Sequence, residues 1–205
     1  MTVDEASGPL ELRHATTDRA TIVVVPRRRL FAIDGVGDPN AGDFLLATRT
    51  LRTVGESLRV RLRARSLETR KPALEVAWWT HPEVEDDEMA ERFADRSTWH
   101  WQQMIEVAEQ ATPEDASAAI DDTRRHAGRE LALVRVIELI EGRAAQMLVV
   151  GAQDEGMAVR RLYAAIRDAG LRPRGHLHQI HFVDPEQLPA DRRRSILRLP
   201  VEPTY

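Results

Sequence analysis

The residues of this chain best suited to ligand contact are its tryptophans. Aromatic residues make up only 5% of the sequence, yet all four tryptophans fall within one short stretch: Trp78, Trp79, Trp99 and Trp101. Indole rings offer broad flat surfaces on which planar apolar molecules or cations stack. Tryptophans also fill protein cores, which is the usual role of a single aromatic residue. The clustering of all four favours a ligand-binding wall.

A second candidate group lies in an apolar segment near the C-terminus. Gln179 and His181 alternate with His178 and Ile180, so in a strand they point to one face. An amide and an imidazole that titrates near neutrality are suited to orienting a water molecule or a ligand carbonyl. The pattern leaves open which face is buried, and either side chain also fits an ordinary hydrogen-bonded surface position.

The histidines of the same segment raise the alternative of a metal site, formed by His176, His178, His181 and Asp184. His181 falls on the other strand face from His176 and His178, and no second cluster of ligands accompanies them, so we expect no metal. Phosphate loops, dinucleotide fingerprints and hydrolase nucleophile motifs are also missing from the sequence. We therefore expect no cofactor.

The elements that must position these residues follow from apolar spacing. The first half predicts strands over 21–25 and 30–34, a helix over 41–65 that includes Phe44, and strands over 73–79 and 98–107. The second half predicts strands over 134–140 and 144–150, a helix over 157–169, and strands over 175–183 and 195–201. A further helix is predicted over 113–128.

This order predicts an α+β fold built from duplicated strand-strand-helix-strand-strand repeats, at about 20–107 and 133–202 of a single domain spanning 1–205. The sheet is expected to be mainly antiparallel and to carry a central cleft. The strand after each helix is the expected cleft wall, with 73–79 on one side and 176–182 on the other. The acidic run Glu83–Glu91 is expected to be a solvated loop beside the tryptophans.

Composition excludes several classes of protein. The 29 basic residues against 33 acidic residues give a net charge of −4, which argues against nucleic acid as a partner. The absence of cysteine removes disulfides and thiolate chemistry. No apolar run approaches the length of a membrane span, and the acidic N-terminus lacks the features of a secretory signal, so we expect a cytoplasmic protein. The oligomeric state is left open.

Several segments, taken in order, resemble the GyrI-like small-molecule-binding proteins. The segments are 33–40 (IDGVGDPN), 74–79 (LEVAWW), 141–142 (EG), 178–185 (HQIHFVDP) and 198–201 (RLPV). The resemblance covers nearly the whole chain. It implies two repeats of the SHS2 type that form a cleft, as in the effector-binding domains of drug-responsive regulators, here without a helix-turn-helix segment.

A subset of that family hydrolyses cyclopropanoid DNA-alkylating antibiotics in an aromatic cage, so the resemblance implies a hydrophobic small-molecule ligand and protection of the cell. The expected ligand-binding residues are Trp78, Trp79, Trp99, Trp101, Gln179 and Phe44, and of these the Trp78-Trp79 pair matches the family pattern. Glu75 matches the family pattern, whereas Gln179 and His181 replace its usual Glu and Tyr, and Gln153 replaces a Tyr. Loss of that Glu favours a neutral ligand.

Two functions follow from these expectations. In the first, the protein captures a flat hydrophobic xenobiotic or antibiotic and sequesters or hydrolyses it, with His181 or Glu75 orienting the attacking water. In the alternative, the chain is a non-catalytic sensing or sequestering module that works with a separate transcription regulator.

Overall fold

A computed structural model describes residues 18–80, 97–126, 131–151, 155–182 and 189–204. Within these ranges there are nine β-strands and three α-helices. The strands are β1 (Thr21–Val25), β2 (Arg28–Val36), β3 (Leu74–Trp79), β4 (His100–Glu106), β5 (Arg135–Leu139), β6 (Gly142–Val150), β7 (Leu171–Pro173), β8 (Leu177–His181) and β9 (Arg194–Pro203). The helices are α1 (Gly42–Arg63), α2 (Pro113–His126) and α3 (Glu155–Asp168).

The strands form one sheet whose order is symmetric about its centre. The order is β1-β6-β9-β8-β3-β4-β2-β5, with β7 added beside β9. All of the pairings are antiparallel. From one end the order is β1, β6, β9 and β8, and from the other end it is β5, β2, β4 and β3, which are the equivalent strands of the other half. An approximate twofold axis therefore passes between β3 and β8.

The outermost strands are exchanged between the halves. β1 belongs to the first half but pairs with β6 of the second, and β5 of the second half pairs with β2 of the first. Only residues 26 and 27 separate β1 from β2. The connection therefore crosses from one end of the strand order to the other, which requires the sheet to be strongly curved.

The three helices pack over one face of the sheet. α1 contacts β2 and β4, α3 contacts β6, β7 and β9, and α2 packs on α1. Apolar residues of α1 such as Leu51, Leu58 and Leu62 are buried together with the facing strand residues in one large core. Their helical spacing, with arginines between them, is the amphipathic pattern of a helix that packs on a sheet. No helix among the described residues is long and apolar enough to span a membrane.

The predicted fold class is confirmed, and the predicted strands and helices agree with the observed ones apart from their ends. One expectation about the cleft was wrong. The segments predicted as opposite walls, now β3 and β8, are hydrogen-bonded neighbours with Trp78 opposite Leu177 and Val76 opposite Gln179. They form a common floor because the approximate twofold axis lies between two adjacent strands. β7 was not predicted.

Candidate functional site

β3 presents two different faces, and the predicted site residues divide between them. Val76 and Trp78 belong to the large core beneath the helices. Glu75 and Trp79 alternate with them and therefore point to the opposite face. The neighbouring tryptophans thus contact different sides of the sheet and do not share one ligand surface.

The helix side of β3 carries an aromatic cluster. Phe44 of α1 stacks on Trp78 with ring centroids 5.6 Å apart and planes 10° apart. Trp101 meets Phe44 edge-on at 5.1 Å. Trp78 is 1% exposed, Trp101 2% and Phe44 9%, and Trp99 is buried in the same core. Because three of the four tryptophans are core residues here, a ligand reaches Trp78 only when this face opens.

On the side of the sheet that faces the helices, β3 carries the aromatic Trp78, whereas β8 carries the polar Gln179. Buried Gln179 donates from Nε2 to Oε1 of Glu155, 2.9 Å away, and lies 3.4 Å from Oγ of Ser195. Glu155 is the first residue of α3, where a carboxylate is favoured by the helix dipole. His181 lies half-buried at the end of β8, on the same face by alternation.

These side chains lie on the same side of the two central strands, between the areas of the sheet that α1 and α3 cover. We call this set the central patch. It consists of Phe44, Trp78, Glu155, Leu177, Gln179 and His181. One end is aromatic and comes from the first half, and the other end offers an amide, a carboxylate and an imidazole from the second half. Such a mixture of apolar surface with a few polar groups is typical of small-molecule sites.

The opposite face of the sheet holds a buried cluster of charges. Arg28 donates two hydrogen bonds to Glu75, at 2.9 and 3.0 Å, and a third to Glu141 at 3.2 Å. Arg198 donates to Glu141 at 3.2 Å and to Oε1 of Gln146 at 3.0 and 2.9 Å. The imidazole of His178 lies between the two carboxylates. We call these six residues the charge cluster.

The electrostatics of the charge cluster keep both carboxylates ionised. Burial alone would raise the pKa of Glu75, but Arg28 and His178 outweigh it and hold that pKa well below its usual range. Burial likewise opposes ionisation of Glu141, whose pKa is nevertheless lowered to about 2 by His178, Arg198 and Arg28. The two carboxylates are therefore committed to ion pairs.

The two residues predicted to orient a catalytic water, Glu75 and His181, are not brought together. Glu75 has no solvent exposure and lies on the face opposite the central patch, whereas His181 lies on the patch side. The imidazole that meets Glu75 is that of His178, with Nε2 at 3.0 Å from Oε2. The physical reason is alternation, since positions 178 and 181 of one strand point to opposite faces.

Trp79 forms a row of stacked rings on the face of the charge cluster. Its indole stacks on His100 at 5.7 Å and on His176 at 4.5 Å, with planes within 20°. His176 thus packs against an aromatic ring, while His178 is held between carboxylates, so they do not converge on one ion. Among the described residues no group of histidines and acids is arranged to hold a metal. Asp184, Gln153 and the run Glu83–Glu91 lie outside the described residues.

Sequence reasoning missed the partners of Glu75 and of Gln179. Arg28, Glu141, His178 and Arg198 come from distant parts of the chain, and only the strand order brings them together. Two signals were available in the sequence. Arg28 and Glu141 are charged residues at the start of β2 and just before β6, and Arg198 is a charged residue inside an otherwise apolar strand. Glu155 could have been found from its position at a helix start, where acidic residues are favoured.

Comparison with known proteins bears on the fold. Neither protein-family models nor curated proteins match the sequence. Among solved structures, a hydrolase from Listeria innocua is similar with a TM-score of 0.78 and 23% identity, over 95% of this chain and 96% of that chain. A conserved protein of uncharacterised function from Listeria innocua is similar with a TM-score of 0.76 and 24% identity, over 92% and 94%.

A third similar structure is the protein EcmrR in its complex with DNA. The TM-score is 0.54 and the identity 12%, over 90% of this chain and 57% of that chain. The structural neighbours thus include both a hydrolase and a DNA-bound protein. At these identities the likeness shows a shared fold.

Proposed function

We propose that the protein binds a flat hydrophobic xenobiotic or antibiotic at the central patch and so protects the cell. The observation that carries this proposal is the Phe44–Trp78 stack beside the Gln179–Glu155 hydrogen bond, on the two strands where the halves meet. An aromatic ligand can stack on the indole while its polar atoms meet the amide, carboxylate or imidazole.

The finer proposal is that the ligand is a cyclopropanoid DNA-alkylating compound, which the protein hydrolyses. Water forms a bond to a ring carbon as the strained carbon–carbon bond breaks, and the electron pair of that bond moves onto the rest of the ligand. His181 accepts the proton that the water loses and returns it to the atom that gained the electron pair. Stacking holds the ring near the water, which supplies part of the rate. The fold shared with the Listeria hydrolase supports this reading.

The alternative is a non-catalytic sensor or sequestering module that works with a separate transcription regulator. The fold shared with EcmrR supports it. The near-complete burial of Trp78 and Gln179 also suits a sensor, because ligand entry would have to open the patch and so change its shape. The two functions share the same binding site and differ in whether the ligand leaves unchanged.

Binding is tested by titrating tryptophan fluorescence with a panel of polyaromatic antibiotics. Stacking and apolar burial predict micromolar affinity, about −8 kcal/mol. Trp78→Phe should weaken binding about fivefold, because the smaller ring loses about 1 kcal/mol of stacking interaction. Trp79→Phe is the matched control, since the neighbouring indole lies on the other face, and it should retain wild-type affinity. Equal effects of both substitutions, or no binding by any compound, would overturn the assignment of the patch.

Turnover is tested in single-turnover reactions with a cyclopropanoid compound that binds. His181→Ala should slow ring opening by roughly 10²-fold and leave affinity within a few-fold, because the imidazole moves a proton and supplies little stacking surface. His126→Ala, an exposed histidine on α2, is the control and should react at the wild-type rate. If wild-type protein releases the compound unchanged, hydrolysis is excluded and binding stands alone.

A further inference from the structure

The charge cluster lies where the two halves of the fold are joined. Arg28 begins β2 and contacts Glu75 on β3, both from the first half. Glu141, just before β6, and Arg198 on β9 belong to the second half, and Glu141 also accepts a hydrogen bond from Arg28. The connection from β1 to β2 and the turn from β5 to β6 are the two places where the exchanged strands cross. The cluster therefore ties both crossings to the central strands.

The geometry around His178 favours a protonated ring. Nδ1 lies 3.0 Å from Oε1 of Glu141, and Nε2 lies 3.0 Å from Oε2 of Glu75. A neutral imidazole has one N–H and one lone pair, so one carboxylate oxygen would face a lone pair at contact distance. Nδ1 has hydrogen-bond geometry toward Glu141, whereas Nε2 makes no hydrogen bond and lies at ion-pair distance from Glu75. The imidazolium is the form of the ring that attracts both carboxylates.

Charged and polar groups surround the ring on several sides. The polar groups that face it come from five elements: Arg28, Glu75, Glu141, Gln146 and Arg198, with Arg174 donating to the carbonyl of Glu141. Arg28 and Arg198 already balance the two carboxylates, so the imidazolium gives the cluster one net positive charge. What favours the proton is that each carboxylate has an oxygen 3.0 Å from a ring nitrogen. In this buried site water cannot replace a lost ion pair.

We propose that His178 is a buried imidazolium that clamps the two halves of the protein together, and that loss of its proton at alkaline pH loosens the crossing of the exchanged strands. The clamp is a conformational device distinct from the ligand site, because the sheet separates it from the central patch. Its pH dependence has a definite sign. Burial would lower the pKa of His178, but Glu141 and Glu75 outweigh it and raise that pKa. The stabilisation is thus complete below the ordinary histidine pKa of about 6.5 and is lost as pH rises through the raised value.

The protonation state is measured by ¹⁵N NMR of histidine-labelled wild-type protein. The chain has seven histidines, and an imidazole with the ordinary pKa of about 6.5 is largely neutral at pH 7.5. One ring should keep both nitrogens protonated at that pH, with N–H protons that exchange slowly because the ring is buried. The signal is assigned by its loss in His178→Asn. If every ring is neutral at pH 7.5, the clamp is excluded, and this result needs no variant to fold.

The effect on the fold is measured by urea unfolding between pH 6 and pH 9. The wild-type midpoint should fall as pH rises through this window. In Glu141→Gln the urea midpoint should change less with pH, because the new amide can donate to Nδ1 of a neutral imidazole. Glu138→Gln is the control, since this exposed carboxylate pairs only with exposed Arg27 among the contacts described, and it should keep the wild-type fall. A fall in Glu141→Gln equal to that of wild type would overturn the proposal.

Discussion

At Gly35 the backbone passes directly beneath the indole of Trp101. A Cβ added there would lie 2.1 Å from ring atom Cζ2 and within 2.6 Å of two further ring atoms, distances that no packed side chain tolerates. The indole is itself held by Phe44 and has little room to move. Packing of the Trp101 indole therefore requires glycine at this position.

Gly35→Ala should destabilise the protein by about 1–3 kcal/mol, because an overpacked core must shift a large ring. Gly42→Ala is the matched control, since no atom lies within 4 Å of the position of its Cβ and alanine favours a helix. Chemical unfolding of the two variants beside wild type checks the comparison. A Gly35→Ala protein as stable as Gly42→Ala would mean that the indole is free to move.

At the scale of one element, α1 is fixed to the sheet by a buried polar contact as well as by apolar packing. Thr48 donates to Oε1 of Gln103 on β4 at 2.8 Å, and Nε2 of Gln103 donates to the carbonyl of Phe44 at 2.8 Å. Both ends of the amide are thus satisfied by α1. This contact sets the position of Phe44 over Trp78.

Thr48→Val should cost about 1–3 kcal/mol, because it leaves a buried amide oxygen without its donor while keeping the side-chain shape. Thr53→Val, on an exposed position of the same helix, removes only a bond to the carbonyl of Arg49 and should change stability by less than about 0.5 kcal/mol. Thermal unfolding gives both values. Equal costs would show that the loss comes from helix propensity.

The elements themselves were largely predictable from the sequence, and their partners were not. The apolar spacing of α1 and the alternation of β3 are local signals, so the observed bounds differ from the predicted ones by a few residues. Strand alternation alone places Trp78 and Trp79 on different faces of the sheet. Pairing of β3 with β8 could not be read this way, because it joins segments about a hundred residues apart, and register depends on the whole sheet.

The candidate site was predictable to the same extent. Trp78, Gln179 and His181 lie on one face, and they are residues that the sequence singled out by type. The charge cluster was not expected, because a lone Glu75 within an apolar strand gives no information on which distant cation pairs with it. The burial of Trp99 and Trp101 was likewise hidden, since an indole fills a core or lines a cleft with the same sequence pattern.

At the scale of the whole molecule, the exchanged strands make each half dependent on the other. Separated, the first half would lose the partner of β1, and the second would lose the partner of β5. Glu75 would also be parted from His178, and Glu141 from Arg28. Each isolated half would expose unpaired strand edges and half of a set of ion pairs.

Fragments made by dividing the chain between residues 127 and 130 should therefore be unfolded alone and fold when mixed. Circular dichroism and the dispersion of amide signals in NMR spectra measure this outcome. The expected result is cooperative folding at a one-to-one ratio. A stably folded first fragment would show that β1 and the charge cluster are dispensable for its core.

The exchange of β1 also affects how the chain folds as it is synthesised. Thr21, in the first of the described strands, pairs with a residue 125 positions later, Gln146. β1 therefore stays unpaired during synthesis until β6 has been made. Contacts of such long sequence separation slow folding and expose unpaired strands to aggregation. The rate of translation between β1 and β6 thus becomes a determinant of how much correctly folded protein the cell obtains.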